Sequence, residues 1–160
     1  YRQTWTSMFS SNPDFVFVPF HWAHPHHMNL RHYDAKCFDE VPNYADILKL
    51  YAEQPHAYTG IYKGKIVCSF VSVQVWPGVA EMWLLTDYLV ESIPISLTKA
   101  AIRYHNHIAI ELQLHRLHMT VEVDNSFAVR WANALKFTRE GLLSKYGAAG
   151  QDYFMYARYF

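Results

Sequence analysis

With 160 residues and 18.8 kDa, the chain amounts to about one domain at the usual ~150 residues each, long enough to bury a core without disulfide or metal staples. Lys and Arg number 14, as do Asp and Glu, so the chain lacks the positive surplus that a broad grip on nucleic acid or anionic lipid needs. Apolar residues at 51% exclude bulk disorder, while 18% charged and 17% aromatic residues point to a surface partly covered by a ligand, a partner or a neighbouring subunit.

Residues 1–27 read as an irregular, His-rich N-terminal segment with a turn at Asn12-Pro13-Asp14, and residues 28–160 as a single domain. Met28–Tyr33 reads as a short strand. Pro42 lies near a helix start, where its missing N–H costs nothing, and Ile47, Leu48 and Tyr51 follow at helical spacing until Gln54-Pro55. Ala57–Tyr62, Val67–Trp76 and Val79–Thr86 then read as three strands joined by Lys63-Gly64 and Pro77-Gly78 turns, an antiparallel meander. From Pro94 the period changes. Leu97, Ala101, Tyr104, Ile108 and Leu112 mark one face of a helix, with Ser92 as candidate N-cap. Leu117, Met119, Val121 and Val123 alternate with polar residues as a half-buried strand. Asp124-Asn125-Ser126 ends it and caps a helix carrying Phe127, Ala128, Trp131 and Leu135 on one side. Leu142–Tyr146 and Tyr153–Phe160 form a closing strand pair around Gly147–Gly150; the last strand is apolar on both faces and fits inside a sheet or at a subunit contact. The order predicts an α/β (α+β) fold, one sheet with helices on its faces.

Cys37 and Cys68 have neither metal-ligand nor disulfide spacing and read as reduced thiols in a cytoplasmic protein. No apolar run reaches the ~18 residues of a membrane span, and no secretory signal pattern opens the chain. It begins on Tyr1 rather than Met, which points to a missing or processed N-terminus. His21, His24, His26, His27 and His32 fall within twelve residues. Neutral imidazoles can bind zinc, but Pro25 breaks any helix that would align these and no cysteine or carboxylate pair lies close, so no metal is expected. His115 and His118 flank a strand start and read as surface-facing. The pairing of Cys37 with His32 rests on sequence proximity alone.

The order of elements resembles the GNAT N-acetyltransferase family over roughly residues 28–160. The sharpest likeness is Asn125–Gly141, NSFAVRWANALKFTREG, which is similar to the family's "N…A…L…GF…EG" segment. The stretch EMWLLTD, Glu81–Asp87, followed by a helix, resembles in particular the GNAT-like proteins encoded by bacteriophages, some of them virion components. The resemblance implies a mixed central sheet in which Val79–Thr86 and Leu117–Val123 are parallel neighbours that splay apart, so that the pantetheine arm of acetyl-CoA pairs with the freed backbone like an added strand. Leu84, Leu85 and Thr86 would form that edge. The pyrophosphate would rest where the next helix opens, near Ser96, and Asn125 would bond either the cofactor or its own helix as a cap. Glu81 is the candidate base that would deprotonate a primary amine, through water, for attack on the thioester; otherwise it is a solvated strand residue.

Two departures stand beside the likeness. The family's Q/R-x-x-G-x-G/A loop is replaced by Tyr88-Leu-Val-Glu-Ser-Ile-Pro-Ile-Ser96, which has no glycine for close approach of a phosphate, a proline without an N–H, and Glu91 to repel an anion. The tyrosine that the family often places five residues before the "GF" phenylalanine is Ala132, and the glycine is Lys136; Tyr146 is one of twelve tyrosines that could replace that acid. Two functions are therefore open. One is an N-acetyltransferase moving the acetyl group of acetyl-CoA to a small-molecule or protein amine. The other is a catalytically inactive GNAT-fold structural or interaction protein, a phage virion component for instance, located with the virion or in the host cytoplasm. The aromatic tail and low charge also make a homo-oligomer an expected partner state.

Overall fold

The structure, a computed structural model, describes residues Met8–Phe160. Its centre is a seven-stranded mixed sheet of order β1-β2-β3-β4-β5-β7-β6. The strands are β1 (Phe15–Pro19), β2 (Tyr58–Tyr62), β3 (Lys65–Trp76), β4 (Val79–Thr86), β5 (Arg116–Glu122), β6 (Thr138–Leu143) and β7 (Tyr153–Tyr159). The helices are α1 (His32–Glu40), α2 (Tyr44–Ala52), α3 (Pro94–Glu111) and α4 (Ser126–Ala134). The expected α/β architecture with helices on both faces is the one observed.

Side-chain alternation sorts the core onto the two faces. Ala80, Leu117 and Tyr156 pack beneath α3 and α4 with Tyr104, Ile108, Leu135 and Phe137. On the opposite face Val71 and Leu85 pack with Tyr44 and Leu48 of α2 and with Phe38 of α1. The buried Tyr104 hydroxyl donates to the His56 carbonyl (2.7 Å) and meets Ser72 Oγ at 3.0 Å, so a polar group on the meander's inner face is satisfied.

The meander β2–β3–β4 is as expected, and β4 has the expected bounds. The N-terminal third differs. Residues 15–19 are not irregular: Phe15 and Phe17 point into the core while Val16 and Val18 face outward, and β1 pairs along its length with β2. Met28–Tyr33 is not a strand; only Leu30 makes a bridge, to Asp87, and α1 begins at His32. Ser92 does not cap α3. It ends a short 3-10 turn, Tyr88–Ser92, with its hydroxyl bonded to the Leu89 carbonyl, and Pro94 starts the helix after Ile93. β6 lies at 138–143 rather than 142–146, because the polar residues of an edge strand carry no apolar alternation. The doubly apolar β7 is sandwiched between β5 and β6.

Candidate active site

β4 and β5 are parallel neighbours for three rungs only: Val79 with Arg116, Ala80 with Leu117 and Glu81 with His118. Beyond that, β4 follows β3 to Thr86 while β5 follows β7 to Glu122, and the two part. The direction of each β4 peptide group is set by the strand period of two. Asp87 N–H bonds the Val67 carbonyl (2.8 Å) on the β3 side. Thr86 turns the other way, its N–H to Asp34 Oδ2 (2.8 Å) and its carbonyl to the Arg31 N–H (3.0 Å). Residues 82 and 84 share that parity and face β5. Residue 82 closes the Glu81–His118 rung; above it β5 no longer reaches β4, so Leu84 presents a main-chain donor and acceptor to the gap.

A cleft of about 260 Å³ runs from this gap between the first turns of α3 and α4. Leu84, Leu97, Phe127 and Trp131 give it apolar walls, and Arg31 and Asp34 at the start of α1 close its outer side. Trp131 is fixed by its indole N–H donating to Thr98 Oγ1 (2.9 Å), which ties α4 to α3 across the cleft. Arg31 stacks on Phe127 at 4.0 Å and pairs with Glu91 at 3.4 Å.

Glu81 stands at the apex on the opposite face, half-buried, between Val73 and His118. Its carboxylate makes no hydrogen bond or ion pair among the described residues, unlike Glu122, bound by Lys36 at 3.0 Å, and Glu140, bound by Arg116 at 2.5 and 2.8 Å. A half-buried carboxylate with free lone pairs is equipped to take a proton. Burial and then the Glu81 charge hold the nearby Tyr51 hydroxyl above its ordinary value. Across the rung, His118 is not surface-facing as its position suggested; it is half-buried. Arg116 Nε donates to its Nδ1 (3.1 Å), which fixes the proton on Nε2. Burial outweighs the pull of Glu81 and holds His118 below the usual imidazole value. Sequence reasoning missed this residue, although its parity opposite Glu81 on the polar side of β5 was there to find it.

The other site candidates separate. Leu85 turns its peptide toward β3, where it pairs with Ser69, and buries its side chain under α2. Thr86 lies in the cleft wall with both its N–H and its hydroxyl (2.6 Å) given to Asp34. Ser96 sits in the first turn of α3, accepts from Asn12 Nδ2 at 3.3 Å and stands outside the cleft lining. Asn125 lines the cleft and also caps α4, accepting from the Ala128 N–H at 3.3 Å. Ala132 is fully buried, so α4 brings no acid to the apex; Tyr146, on the β6–β7 connection, is exposed and meets the Tyr153 ring at 5.3 Å. The histidines turn to different partners: the His21 and His24 rings stay 5.8 Å apart, His24 Nδ1 meets Thr59 Oγ1 at 2.7 Å, and His26 meets the Phe38 ring at 6.0 Å. Among the described residues no group of three or more His, Cys, Asp or Glu side chains could hold a metal ion.

The loop from β4 to α3 engages its own amides. Leu89 N–H bonds Asp87 Oδ1 (2.8 Å), Val90 N–H the Asp87 carbonyl (3.1 Å), Ile93 N–H the Val90 carbonyl (3.1 Å), and Pro94 has none. Asp87 Oδ2 also accepts from Asn29 N–H at 2.6 Å.

No family model and no curated protein matches this sequence. Solved structures do match. The GNAT-family acetyltransferase from Bacillus anthracis superposes with a TM-score of 0.68 at 16% identity over 95% of this chain and 98% of that one. Ard1 from Thermoplasma volcanium gives 0.73 at 15% over 91% and 97%. The microcin C7 self-immunity acetyltransferase MccE, solved with acetyl-CoA and AMP, gives 0.67 at 13% over 99% and 100%. At these identities the likeness establishes the fold, which is that of the GNAT acetyltransferases.

Proposed function

We propose that this chain is an N-acyltransferase that moves an acetyl group from a pantetheine thioester such as acetyl-CoA to a primary amine, a small molecule or a protein. The observation that carries the reading is the parting of β4 and β5 just above Glu81, with Leu84 turned into the gap. An extended amide-bearing arm can pair there as a strand would. Bound, the thioester would supply an activated carbonyl whose C–S bond breaks as the amine's C–N bond forms, the thiolate leaving with a proton from water; the chain's own part is positioning and proton transfer. Leu84 offers the main-chain donor and acceptor for the arm, Trp131 and Leu97 exclude water from its flank, and Glu81 takes the proton that the attacking amine must lose. The fit ends at the nucleotide. The residues around the gap suit the arm, whereas the loop 88–96 offers few free amides and adds a carboxylate. Use of an intracellular thioester agrees with a cytoplasmic protein, in the host if the chain is phage-encoded.

That same loop favours a second reading, a catalytically inactive GNAT-fold interaction protein such as a virion component. Calorimetry with acetyl-CoA and an amine-panel assay separate the two. The enzyme reading expects saturable binding, and a Glu81→Gln protein that binds thioester within about twofold of wild type while losing roughly a hundred- to ten-thousand-fold in kcat. No heat and no protection from acetyl-CoA would leave the inactive reading standing.

A further inference from the structure

The β4 edge beyond Leu84 is taken by the chain itself. Leu30 bridges Asp87, Arg31 N–H bonds the Thr86 carbonyl at 3.0 Å, Tyr88 N–H bonds the Asn29 carbonyl at 3.1 Å, and Asp34 takes the Thr86 N–H and hydroxyl. Residues 29–31, through this single bridge and its two hydrogen bonds, and Asp34 in the first turn of α1 thus occupy the edge where β5 has departed, and an extended ligand paired at Leu84 cannot continue along Thr86 and Tyr88 while they stay there.

The loop after β4 is equally unsuited to an anion. The amides of Leu89, Val90 and Ile93 are engaged internally. Asp34 and Asp124 line the cleft; Asp87 and Glu91 line the adjoining groove, where Lys65, His24 and His27 also stand. The one arginine in the cleft lining, Arg31, is paired with Glu91 and stacked on Phe127. The nucleotide half of coenzyme A carries several negative charges; in the cleft it meets Asp34 and Asp124 and an arginine already paired, and along the loop it finds few free N–H groups.

Building on the acyl-transfer reading above, we propose that the donor is recognised through its acyl-pantetheine arm alone, and that a nucleotide on the far end of that arm adds no affinity. The donor class is any acyl-pantetheine thioester, with or without the nucleotide. In an enzyme that grips the whole cofactor, remote binding is used to drive the reacting centre, so truncation lowers kcat/KM steeply. Here truncation removes nothing that the site holds.

The test compares acetyl-CoA with S-acetylpantetheine at a fixed amine, and measures calorimetric binding of 3′,5′-ADP to the same full chain. The proposal expects kcat/KM values within about tenfold of each other and no saturable heat from 3′,5′-ADP at millimolar concentration. A preference for acetyl-CoA beyond that range overturns it. So does saturable binding of 3′,5′-ADP, which needs no turnover to be read and leaves the acyl-transfer assignment untouched. Failure of both thioesters to bind or react overturns that assignment, and this proposal with it.

Discussion

At the scale of single residues, the site turns on which acidic groups are already engaged. Glu122 and Glu140 have cations, Asp87 has loop amides, and Glu81 alone at the gap's apex keeps its lone pairs free among the described residues. The family likeness singles out Glu81 as a candidate base, and the structure places it on β4 at the last β4–β5 rung. Asp34 was not legible, since its partner Thr86 lies far along the chain, and the parity of His118 on β5 tells of Glu81 only once the two strands are known to pair. Asp34 makes a testable contribution to stability. Burial pushes its carboxyl from 3.8 up to about 6, against the opposing pull of the two Thr86 donors and Arg31. A carboxyl whose folded value lies above its unfolded one favours the fold when protonated, and that contribution is lost as pH rises between the two values. Urea midpoints of the wild-type and Asp34→Asn proteins from pH 4 to 8 should therefore show the wild type losing ground to the variant between about pH 4 and 6, with a constant difference above about 7. A wild type that gains on the variant across that window would contradict the burial of Asp34.

At the scale of elements, periodic segments were legible and segments held by tertiary contacts were not. β4, β5, α3 and α4 emerge from apolar spacing because each has one face on the core. α1 buries no residue fully and is held by Lys36 reaching Glu122 and by Asp34 reaching Thr86, so no periodicity announced it. β1 was hidden beside the histidines, although its Phe-Val-Phe-Val alternation is a strand signal. The Pro77-Gly78 turn has a second task. Gly78 has φ +85°, and its carbonyl accepts from the N–H groups of His115 (2.9 Å) and Arg116 (3.1 Å), so the turn that closes the β3–β4 hairpin also starts the β4–β5 ladder. A Cβ at that position would run into the His115 ring. Gly78→Ala should lower stability by about 1–3 kcal/mol in urea unfolding, through left-handed strain and the displaced ring. An unchanged midpoint would mean that the turn can relax without disturbing the three rungs.

At the scale of the whole molecule, the sheet does two different jobs along one pair of strands. Its closed end is an ordinary parallel ladder between buried neighbours; its open end is a gap with apolar walls and one outward-facing peptide. That division was anticipated through the family likeness: a crossover through α3 suits a parallel pair, but composition and element order do not say that the pair parts. How far the gap extends was not legible, since it depends on residues 29–34 folding back onto Thr86–Tyr88, a contact no local pattern encodes. The most direct test is an amide-resolved NMR titration with S-acetylpantetheine. The account predicts a saturable shift of the Leu84 amide, while that of Leu85, bonded toward β3, stays near its free position. Saturation that leaves Leu84 unmoved, or shifts confined to another face of the sheet, would contradict it.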